Sequence, residues 1–204
     1  QEDDSTSCDE LDCCDECDGD NSSCTGSGDA NVDSQLDILD IIIFVAFITE
    51  NSSSNECDII IGDAIEDGML NILDIVYFVE IILGDGLARI DAPVPTSVEL
   101  IKSNQTLSFN SNINGLIGFE LTLHHDLNTE FILTEKAIIA DYHTSGNTTK
   151  MVLVTEIGNE LFTSTDNFEI VDVLAGSAAG EIEYSISIVP EVFGLSNAYP
   201  NPFN

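Results

Sequence analysis

A duplicated acidic segment is the feature that most constrains the fold of this chain. Residues 28–50 read GDANVDSQLDILDIIIFVAFITE and residues 62–84 read GDAIEDGMLNILDIVYFVEIILG, which match at 12 of 23 positions with an offset of 34. Each copy begins with an acidic loop and continues into an apolar run that starts near Leu39 or Leu73. These runs have the length of a helix, but their β-branched residues are also compatible with strands. The repeat therefore predicts two equivalent loops, each followed by one regular apolar element.

Oxygen-bearing residues recur along both loops at a spacing that suits calcium. This hard cation takes roughly six to eight oxygen ligands, which a loop of about twelve residues provides from alternate positions and from its last residue. The first loop, residues 29–40, offers an oxygen at every such position. Its predicted calcium ligands are Asp29, Asn31, Asp33, the backbone carbonyl of Gln35, Asp37 and Asp40.

The second loop, residues 63–74, is less complete than the first. Ile65 stands at its third position and cannot bind a cation, which leaves Glu66 or a water to compensate. We therefore expect two calcium sites, of which the second binds calcium more weakly. Replacing Asp40, the last aspartate of the first loop, should then destabilise the chain more than replacing Asp74. The sharply turning sixth position is Gly68 here but Ser34 in the first loop, where strain is expected. The predicted ligands of the second loop are Asp63, Asp67, the backbone carbonyl of Met69, Asn71 and Asp74.

The charge distribution limits the partners of the chain. Residues 1–88 carry 23 Asp and Glu and no Lys or Arg, and the formal net charge of all 204 residues is −34. Such unopposed negative charge repels itself unless cations are bound. Because 43% of the residues are hydrophobic, a packed core is expected in place of a disordered acidic chain. Nucleic acid is not an expected partner, and no apolar run is long enough for membrane insertion.

Six cysteines lie in or near the most acidic part of the sequence. An even number of cysteines in this setting predicts disulfides formed in an oxidising compartment. A zinc site is a poorer explanation because no histidine is nearby, and the acids around the CxxC of Cys14 and Cys17 disfavour a reactive thiolate. Because Cys57 is distant from the others, one bridge is expected to tie the N-terminal segment to the connection between the repeats. The predicted disulfide cysteines, whose pairing the sequence leaves open, are Cys8, Cys13, Cys14, Cys17, Cys24 and Cys57.

The sequence after the repeats has a different character. A proline-containing linker is followed by short, β-rich runs that turn residues separate. Seven or eight such runs in about 100 residues are typical of an antiparallel β-sandwich. The predicted strands are residues 97–102, 106–109, 113–123, 131–133, 137–142, 150–155, 168–174 and 181–189.

The repeat resembles a dockerin domain over residues 28–84. The pattern G-D-x-N-x-D-x-x-L-[DN]-x-x-D, its final Asp and the second copy 34 residues later carry the resemblance, which is complete in the first loop and partial in the second. It implies EF-hand-type loops, a helix after each loop, two calcium ions and a cohesin partner. The expected fold class is therefore α+β multidomain, a small helical dockerin-like domain followed by an antiparallel β-sandwich.

Two apolar pairs occupy the positions that resemble the recognition residues of dockerins. They are Ile38 with Leu39 and Ile72 with Leu73, and their identity would preserve the pseudo-twofold symmetry that the family uses to bind in two orientations. The alternative is that these pairs pack against the chain's own sandwich. The sequence leaves both interpretations open.

Two further resemblances concern the second half of the chain. The segments INGLIGFELTLHHDL and NTTKMVLVTEIG are similar to cohesin-like sandwiches of secreted bacterial proteins, and the ending LSNAYPNPFN resembles the start of the sorting domain for type IX secretion. They imply a secreted bacterial protein, extracellular or at the cell surface. Numbering from Gln1 fits a chain whose signal peptide has been removed. The candidate glycosylation residues are Ser5, Asn21, Asn51, Asn104 and Asn147.

The sequence contains no recognisable catalytic motif, so a non-enzymatic role is expected. We expect a calcium-stabilised structural or adhesive protein that assembles head to tail with copies of itself. The alternative is a scaffold-binding module that docks to a cohesin on another protein, whereas an enzyme or carbohydrate-binding module would lack an identifying residue. The predicted organisation is a Cys/Asp-rich segment at 1–27, a dockerin-like domain at 28–84, a linker at 85–97, a sandwich at 98–190 and an extended tail at 191–204.

Overall fold

Three helices occupy the repeat region. A computed structural model of the protein describes residues 11–14, 16, 19–50, 55–84, 94–156 and 159–189. Helix α1 spans Ile38–Glu50, α2 spans Glu56–Gly62 and α3 spans Ile72–Leu83. Helices α1 and α3 each begin at the tenth position of an acidic loop, so the β-branched apolar runs are helical. The predicted tail at 191–204 lies outside the described residues, as do most of the predicted linker and most of the first 18 residues.

Helix α2 forms in the connection between the repeats, where the sequence analysis predicts no helix. Its first turn is held by a capping box, in which the Asn55 side chain accepts from the Asp58 backbone N–H at 2.9 Å. In return, the Asp58 carboxylate accepts from the Asn55 backbone N–H at 2.8 Å. The reciprocal bonds satisfy two backbone donors that a helix start otherwise leaves unpaired, which stabilises this short helix.

Ten strands follow the helices in the described part of the chain. They are β1 (Ser97–Lys102), β2 (Thr106–Ser111), β3 (Ile117–His125), β4 (Phe131–Leu133), β5 (Ala137–Ser145), β6 (Thr148–Thr155), β7 (Glu160–Ser164), β8 (Phe168–Ser177), β9 (Gly180–Glu181) and β10 (Glu183–Ile188).

The strands form two five-stranded sheets that pack face to face. Sheet one has the order β10-β1-β2-β7-β4 and sheet two has the order β5-β6-β3-β8-β9. Among the described strands, neighbours are antiparallel except β1 and β10, which run parallel with Ser97 opposite Glu183 and Lys102 opposite Ile188. The predicted β-sandwich is therefore confirmed, with one parallel pair at the edge of sheet one.

Two apolar cores lie on opposite faces of sheet two. The first fills the space between the sheets and includes Phe119 and Phe162. The second lies between the helices and the outer face of sheet two, where Phe44 and Phe78 of the helices share a cluster with Val152 and other residues of that sheet. Because these residues form one cluster, the helical unit, residues 28–84, packs against the sandwich and buries part of its apolar surface there.

Two disulfides anchor the N-terminal segment. Cys13 is bonded to Cys57 at the start of α2, and Cys14 is bonded to Cys24. The first bridge joins the N-terminal segment to the connection between the repeats. Cys8 and Cys17 lie outside the described residues.

Removing the Cys13–Cys57 bridge is expected to destabilise the protein more than removing the Cys14–Cys24 bridge. The first closes a loop of 44 residues and the second a loop of 10. A longer closed loop restricts the unfolded chain more, so paired Cys→Ser variants should lose on the order of 3 to 4 kcal/mol and 2 to 3 kcal/mol, respectively. Denaturant unfolding of the two double variants checks this, and an equal or reversed ranking would contradict it.

Candidate functional site

The first aspartate of each acidic loop makes the same pair of backbone contacts. Asp29 accepts hydrogen bonds from the N–H groups of Asp33 at 3.0 Å and Ser34 at 2.8 Å. Its counterpart Asp63 accepts from the N–H groups four and five residues further on, at 3.0 and 2.7 Å. The two loops therefore curl around their first carboxylate in the same way.

The last aspartate of each loop closes the loop from the other side. Asp40 accepts from the N–H groups of Asn31 at 3.2 Å and Asp37 at 2.8 Å. Asp74 accepts from the equivalent N–H groups, those of Ile65 and Asn71, at 3.2 and 2.9 Å. Asp74 also accepts from Ala64 N–H at 2.9 Å. Both carboxylates are fully buried, so each holds its loop shut from the inside.

The backbone conformation of the two loops matches as well. Val32 and Ser34 have φ angles of 60° and 69°, and the equivalent Glu66 and Gly68 have 57° and 83°. Residues other than glycine adopt this left-handed region at a cost. Ser34 therefore carries the strain that the sequence predicted for the first loop.

The loops are also joined reciprocally at their starts. Gly28 opens the first loop, and a Cβ at its position would lie 2.5 Å from the ring of Phe78 in α3. Gly62 opens the second loop, and a Cβ there would lie 2.7 Å from the ring of Phe44 in α1. The two rings stack with their centroids 5.7 Å apart. Each repeat thus packs its aromatic ring over the opening glycine of the other.

Burial of Asp74 has an electrostatic consequence. Removal from water raises the pKa of this carboxyl to about 6, and the nearby charge of Asp63 acts in the same direction. The N–H groups of Asn71, Ile65 and Ala64 act in the opposite direction, because they favour the charged form. The second loop therefore buries a carboxyl whose ionisation costs free energy in the absence of a cation.

The donor set of each loop suits a hard cation. The first loop offers four carboxylates, one amide and one backbone carbonyl, and the second offers three carboxylates, one amide and one backbone carbonyl. Oxygen donors of this kind favour calcium over zinc. Within the described ranges, however, no group of three or more His, Cys, Asp or Glu side chains is placed to hold a metal ion. Calcium binding therefore stays a prediction. The predicted ligands also include Asn side chains and backbone carbonyl oxygens.

The two apolar pairs predicted to bind a partner have different surroundings. Ile38 and Leu39 on α1 are 43% and 54% exposed, whereas Ile72 and Leu73 on α3 are 0% and 8% exposed. The predicted equivalence of the two pairs is therefore wrong for the folded chain, because α3 lies against sheet two. The second pair follows the alternative interpretation and packs on the chain's own sandwich. The first pair remains on the surface.

Two glycines in sheet two make room for α3. Gly118 in β3 and Gly176 in β8 are directly opposite each other across the strand pair. A Cβ at Gly118 would lie 2.4 Å from Val76 Cγ2 and 2.7 Å from Ile72 Cγ1, and a Cβ at Gly176 would lie 2.3 Å from Leu73 Cδ2. Any side chain at these positions would push the helix away. We call Gly118 and Gly176 the glycine floor.

A polar contact lies beside the glycine floor. Glu120 follows Gly118 on the same face of β3, and its Oε2 accepts from the backbone N–H of Ile72 at 3.3 Å. Its Oε1 contacts Lys150 Nζ at 2.8 Å. The N-terminal end of α3 is also where Asn71 and Asp74 form a capping box. Predicted ligands of the second calcium loop therefore adjoin the residues that contact the sandwich.

Separate Leu39→Ala and Leu73→Ala variants test the difference in burial between the two apolar pairs. Leu39→Ala is expected to change the free energy of unfolding by less than about 0.5 kcal/mol, because the side chain is on the surface. Leu73→Ala is expected to cost about 2 to 4 kcal/mol, because the side chain is buried on the glycine floor. Urea unfolding measures both, and equal effects of the two changes would contradict the asymmetric packing.

The candidate glycosylation residues are only partly described. Asn21, Asn104 and Asn147 are half-buried, while Ser5 and Asn51 lie outside the described residues. The Asn21 side-chain carbonyl accepts from Cys13 N–H at 2.8 Å, and Asn147 Nδ2 donates to the His125 carbonyl at 2.9 Å. The side-chain amides of Asn21 and Asn147 are therefore engaged in hydrogen bonds with the backbone.

Comparisons with known proteins found only weak structural similarity. A scan against protein families found no match, and neither did a search of curated proteins. One similar solved structure is a non-cellulosomal cohesin from the archaeon Archaeoglobus fulgidus, with 11% identity, a TM-score of 0.31, and 48% of this chain and 93% of that chain covered. Another is a cohesin module from a Clostridium perfringens family 33 glycoside hydrolase, with 14% identity, a TM-score of 0.21, and 47% and 94% covered. Both scores are low, so the likeness by itself carries no argument about function.

Proposed function

We propose that this chain is a secreted, non-enzymatic structural or adhesive protein of bacterial origin, which calcium stabilises and which assembles with copies of itself. The observation that carries the proposal is the duplicated loop. Both copies direct the same backbone N–H groups at the same two aspartates, and both begin a helix at the same position. Two matching oxygen-rich loops in so small a unit support calcium as the element that fixes the repeat.

The charge of the N-terminal half supports the same proposal. Residues 1–88 contain 23 acids and no basic residue. The mutual repulsion of so many like charges opposes folding. Calcium ions bound in the two loops would close the loops and neutralise part of this charge. Calcium is abundant outside cells, which agrees with an extracellular site of action.

The disulfides support an extracellular location. Cys13–Cys57 and Cys14–Cys24 are bonds of the kind that persist in oxidising compartments. Among the described helices, none has the length and apolar character needed to cross a bilayer.

Calcium titration tests the proposal. Calorimetry on the native protein is expected to show calcium binding, with the second loop weaker because of Ile65. Thermal unfolding should then shift upward, since each occupied site adds about 2.7 kcal/mol when free calcium is roughly a hundred times its Kd. EGTA should reverse the shift, and magnesium at the same concentration serves as the control cation. Absence of any heat of calcium binding would overturn the calcium part of the proposal.

Self-assembly is tested separately. Sedimentation velocity with calcium and then with EGTA is expected to show species larger than one chain in at least one condition. A single monomeric species in both, over a wide concentration range, would remove self-assembly from the proposal and leave the calcium result unaffected.

A second candidate function rests on the exposed pair Ile38 and Leu39. Large apolar side chains grouped on a helix surface mark a contact site for another protein. In this case the chain would be a scaffold-binding module that docks α1 on a cohesin of a separate protein. A purified cohesin module should then bind the chain, and changing both residues to Asp should abolish binding without unfolding the chain. Unchanged binding by that double variant would eliminate this candidate.

A further inference from the structure

Strand β10 carries an exposed row of apolar side chains at the edge of sheet one. It pairs with β1 so that Tyr184 lies beside Val98, and Ile186 lies beside Leu100. Residues side by side in neighbouring strands point to the same face of the sheet, which here is the face toward sheet two. Val98 and Leu100 are 4% and 0% exposed. In contrast, the exposed fractions are 45%, 43% and 75% for Tyr184, Ile186 and Ile188, which we call the apolar row.

Sheet two ends short of the apolar row. Strand β9 pairs with β8 only at Gly176 and Ser177. The Ile182 N–H then donates to the Ala175 carbonyl at 2.9 Å, after which the chain crosses to sheet one. Among the described strands, residues 168–174 of β8 therefore have a neighbour, β3, on one side only. We call these seven residues the open edge, because the backbone groups on its other side can pair with an added strand.

The apolar row and the open edge lie on the same side of the sandwich. The chain passes directly from β9 to β10, which are the last strands of their sheets on that side. At the far end of β10, the Val189 N–H donates to the Lys102 carbonyl at 2.9 Å. The Nζ of Lys102 lies 4.6 Å from the ring centroid of Phe168, the first residue of β8. The two surfaces therefore border one cleft, and β10 ends where the open edge begins.

The next part of the chain starts at this end of the cleft. Val189 is the last described residue, and residues 190–204 follow it. Packed sheets lie about 10 Å apart, a distance that about three extended residues span. Residues 190–192 are thus sufficient to cross from β10 to sheet two. The seven residues after them, 193–199, equal the open edge in length.

Residues 193–199 read FGLSNAY, which is the alternation of a strand with one buried face. The larger residues fall on one face and are Phe193, Leu195, Asn197 and Tyr199. The small residues fall on the other face and are Gly194, Ser196 and Ala198. Pro200 follows, and proline ends a paired strand because it lacks the N–H. In a chain of formal net charge −34, residues 190–204 contain a single charged side chain, Glu191, so burying 193–199 removes no charge from water.

We propose that residues 193–199 dock on the open edge of their own chain as an added strand of sheet two, with Phe193 and Leu195 against the apolar row. Main-chain hydrogen bonds hold such a strand, and its alternate side chains set the register. The added strand runs parallel to β8, because β8 starts where β10 ends. Its tether of three residues gives it an effective concentration on the order of millimolar, which favours the chain's own segment over that of a second copy. This docking requires neither calcium nor self-assembly.

Hydrogen exchange followed by mass spectrometry tests the docking on the full-length chain. Two double variants are compared with the unmodified chain. Phe193→Asp with Leu195→Asp places two charges on the face that is proposed to be buried. Ser196→Asp with Ala198→Asp adds the same two charges to the opposite face of the same segment, and it is the matched control. Circular dichroism checks that both variants keep the fold.

In the unmodified chain, amides of residues 193–199 are expected to exchange roughly tenfold or more slowly than in a free peptide of that sequence, at every protein concentration. The first variant should abolish this protection and speed exchange in residues 168–174 and 183–188 by roughly tenfold, whereas the control should change it less than about threefold. Exchange of residues 193–199 at the rate of the free peptide overturns the docking, as do equal effects of the two variants. Protection that appears only at high concentration assigns the cleft to another copy and overturns docking within one chain.

Discussion

Replacing Gly118 by valine is expected to separate α3 from sheet two and to lower the free energy of unfolding by roughly 4 to 6 kcal/mol. A Cβ at this position would lie 2.4 Å from Val76 Cγ2, and both partners are held in packed structure. The sheet cannot move away because β3 is paired on both sides, with β6 and β8. The helix therefore has to move. Ile72, Leu73 and Val76 would return to water at about 1.5 to 3 kcal/mol each, part of which new contacts would offset.

A matched substitution on the same strand controls for β propensity. Thr122 lies on the same face of β3 as Gly118, four residues further on, and is half-buried. Thr122→Val introduces the same side chain at a half-buried position that already carries a branched side chain, so its effect should stay within about 0.5 kcal/mol. Denaturant unfolding gives both values, and hydrogen exchange at β6 reports whether the outer face of sheet two has opened. A Gly118→Val variant as stable as the Thr122→Val variant would contradict the packing described here.

Asp74→Ala is expected to be the most damaging single change in the acidic loops, at roughly 2 to 4 kcal/mol, because the lost hydrogen bonds outweigh the removal of a buried carboxyl that is costly to ionise. The change removes the acceptor for three backbone N–H groups, those of Ala64, Ile65 and Asn71, of which the last is buried and the other two are partly buried. An unsatisfied buried donor costs about 1 to 3 kcal/mol. The capping box of α3 is lost as well, at the end of the helix that contacts the sandwich. Asp40→Ala removes two such contacts and should cost less.

This ranking reverses the one that the sequence favours. The missing ligand at Ile65 suggested that the second loop is weaker and that Asp40 is the more important aspartate. The structure shows that Asp74 has an additional donor and adjoins the docked end of α3, which the loop sequence does not reveal. Thermal unfolding in EGTA compares the two variants without the contribution of calcium. Glu66→Gln removes one charge from the same loop at an exposed position and serves as the control. An Asp40→Ala variant less stable than Asp74→Ala in EGTA would restore the original ranking.

Much of the architecture follows from local sequence patterns. The repeat predicts both loops and the starts of α1 and α3 to within a residue, because loop chemistry and helix capping are encoded within about fifteen positions. Strands β1 and β4 are also predicted at their observed limits. In contrast, β7 was missed, because its five residues contain only Leu161 and Phe162 as apolar members, and α2 was missed because its cap residues look like a polar connection.

The repeat alone does not predict that the two apolar pairs differ in burial. Ile38 with Leu39 and Ile72 with Leu73 are identical in sequence, so no local argument separates them. The difference arises from Gly118 and Gly176, which stand 46 and 104 residues after Ile72 and 58 residues from each other. They come together only when β3 pairs with β8. Interfaces of this kind depend on long-range pairing that a single sequence does not show.

The parallel pairing of β1 with β10 determines how the sandwich responds to tension. The strand that enters the sandwich and the last described strand lie side by side and point in the same direction. A pull on the chain before Ser97 and after Ile188 therefore acts in opposite directions along these two strands. The hydrogen bonds between them are loaded together in shear, over six paired positions, and do not open one after another as in a hairpin pulled from its free ends. A chain that links one surface to another through its two ends would thus place its mechanical resistance in a single strand pair at the edge of sheet one.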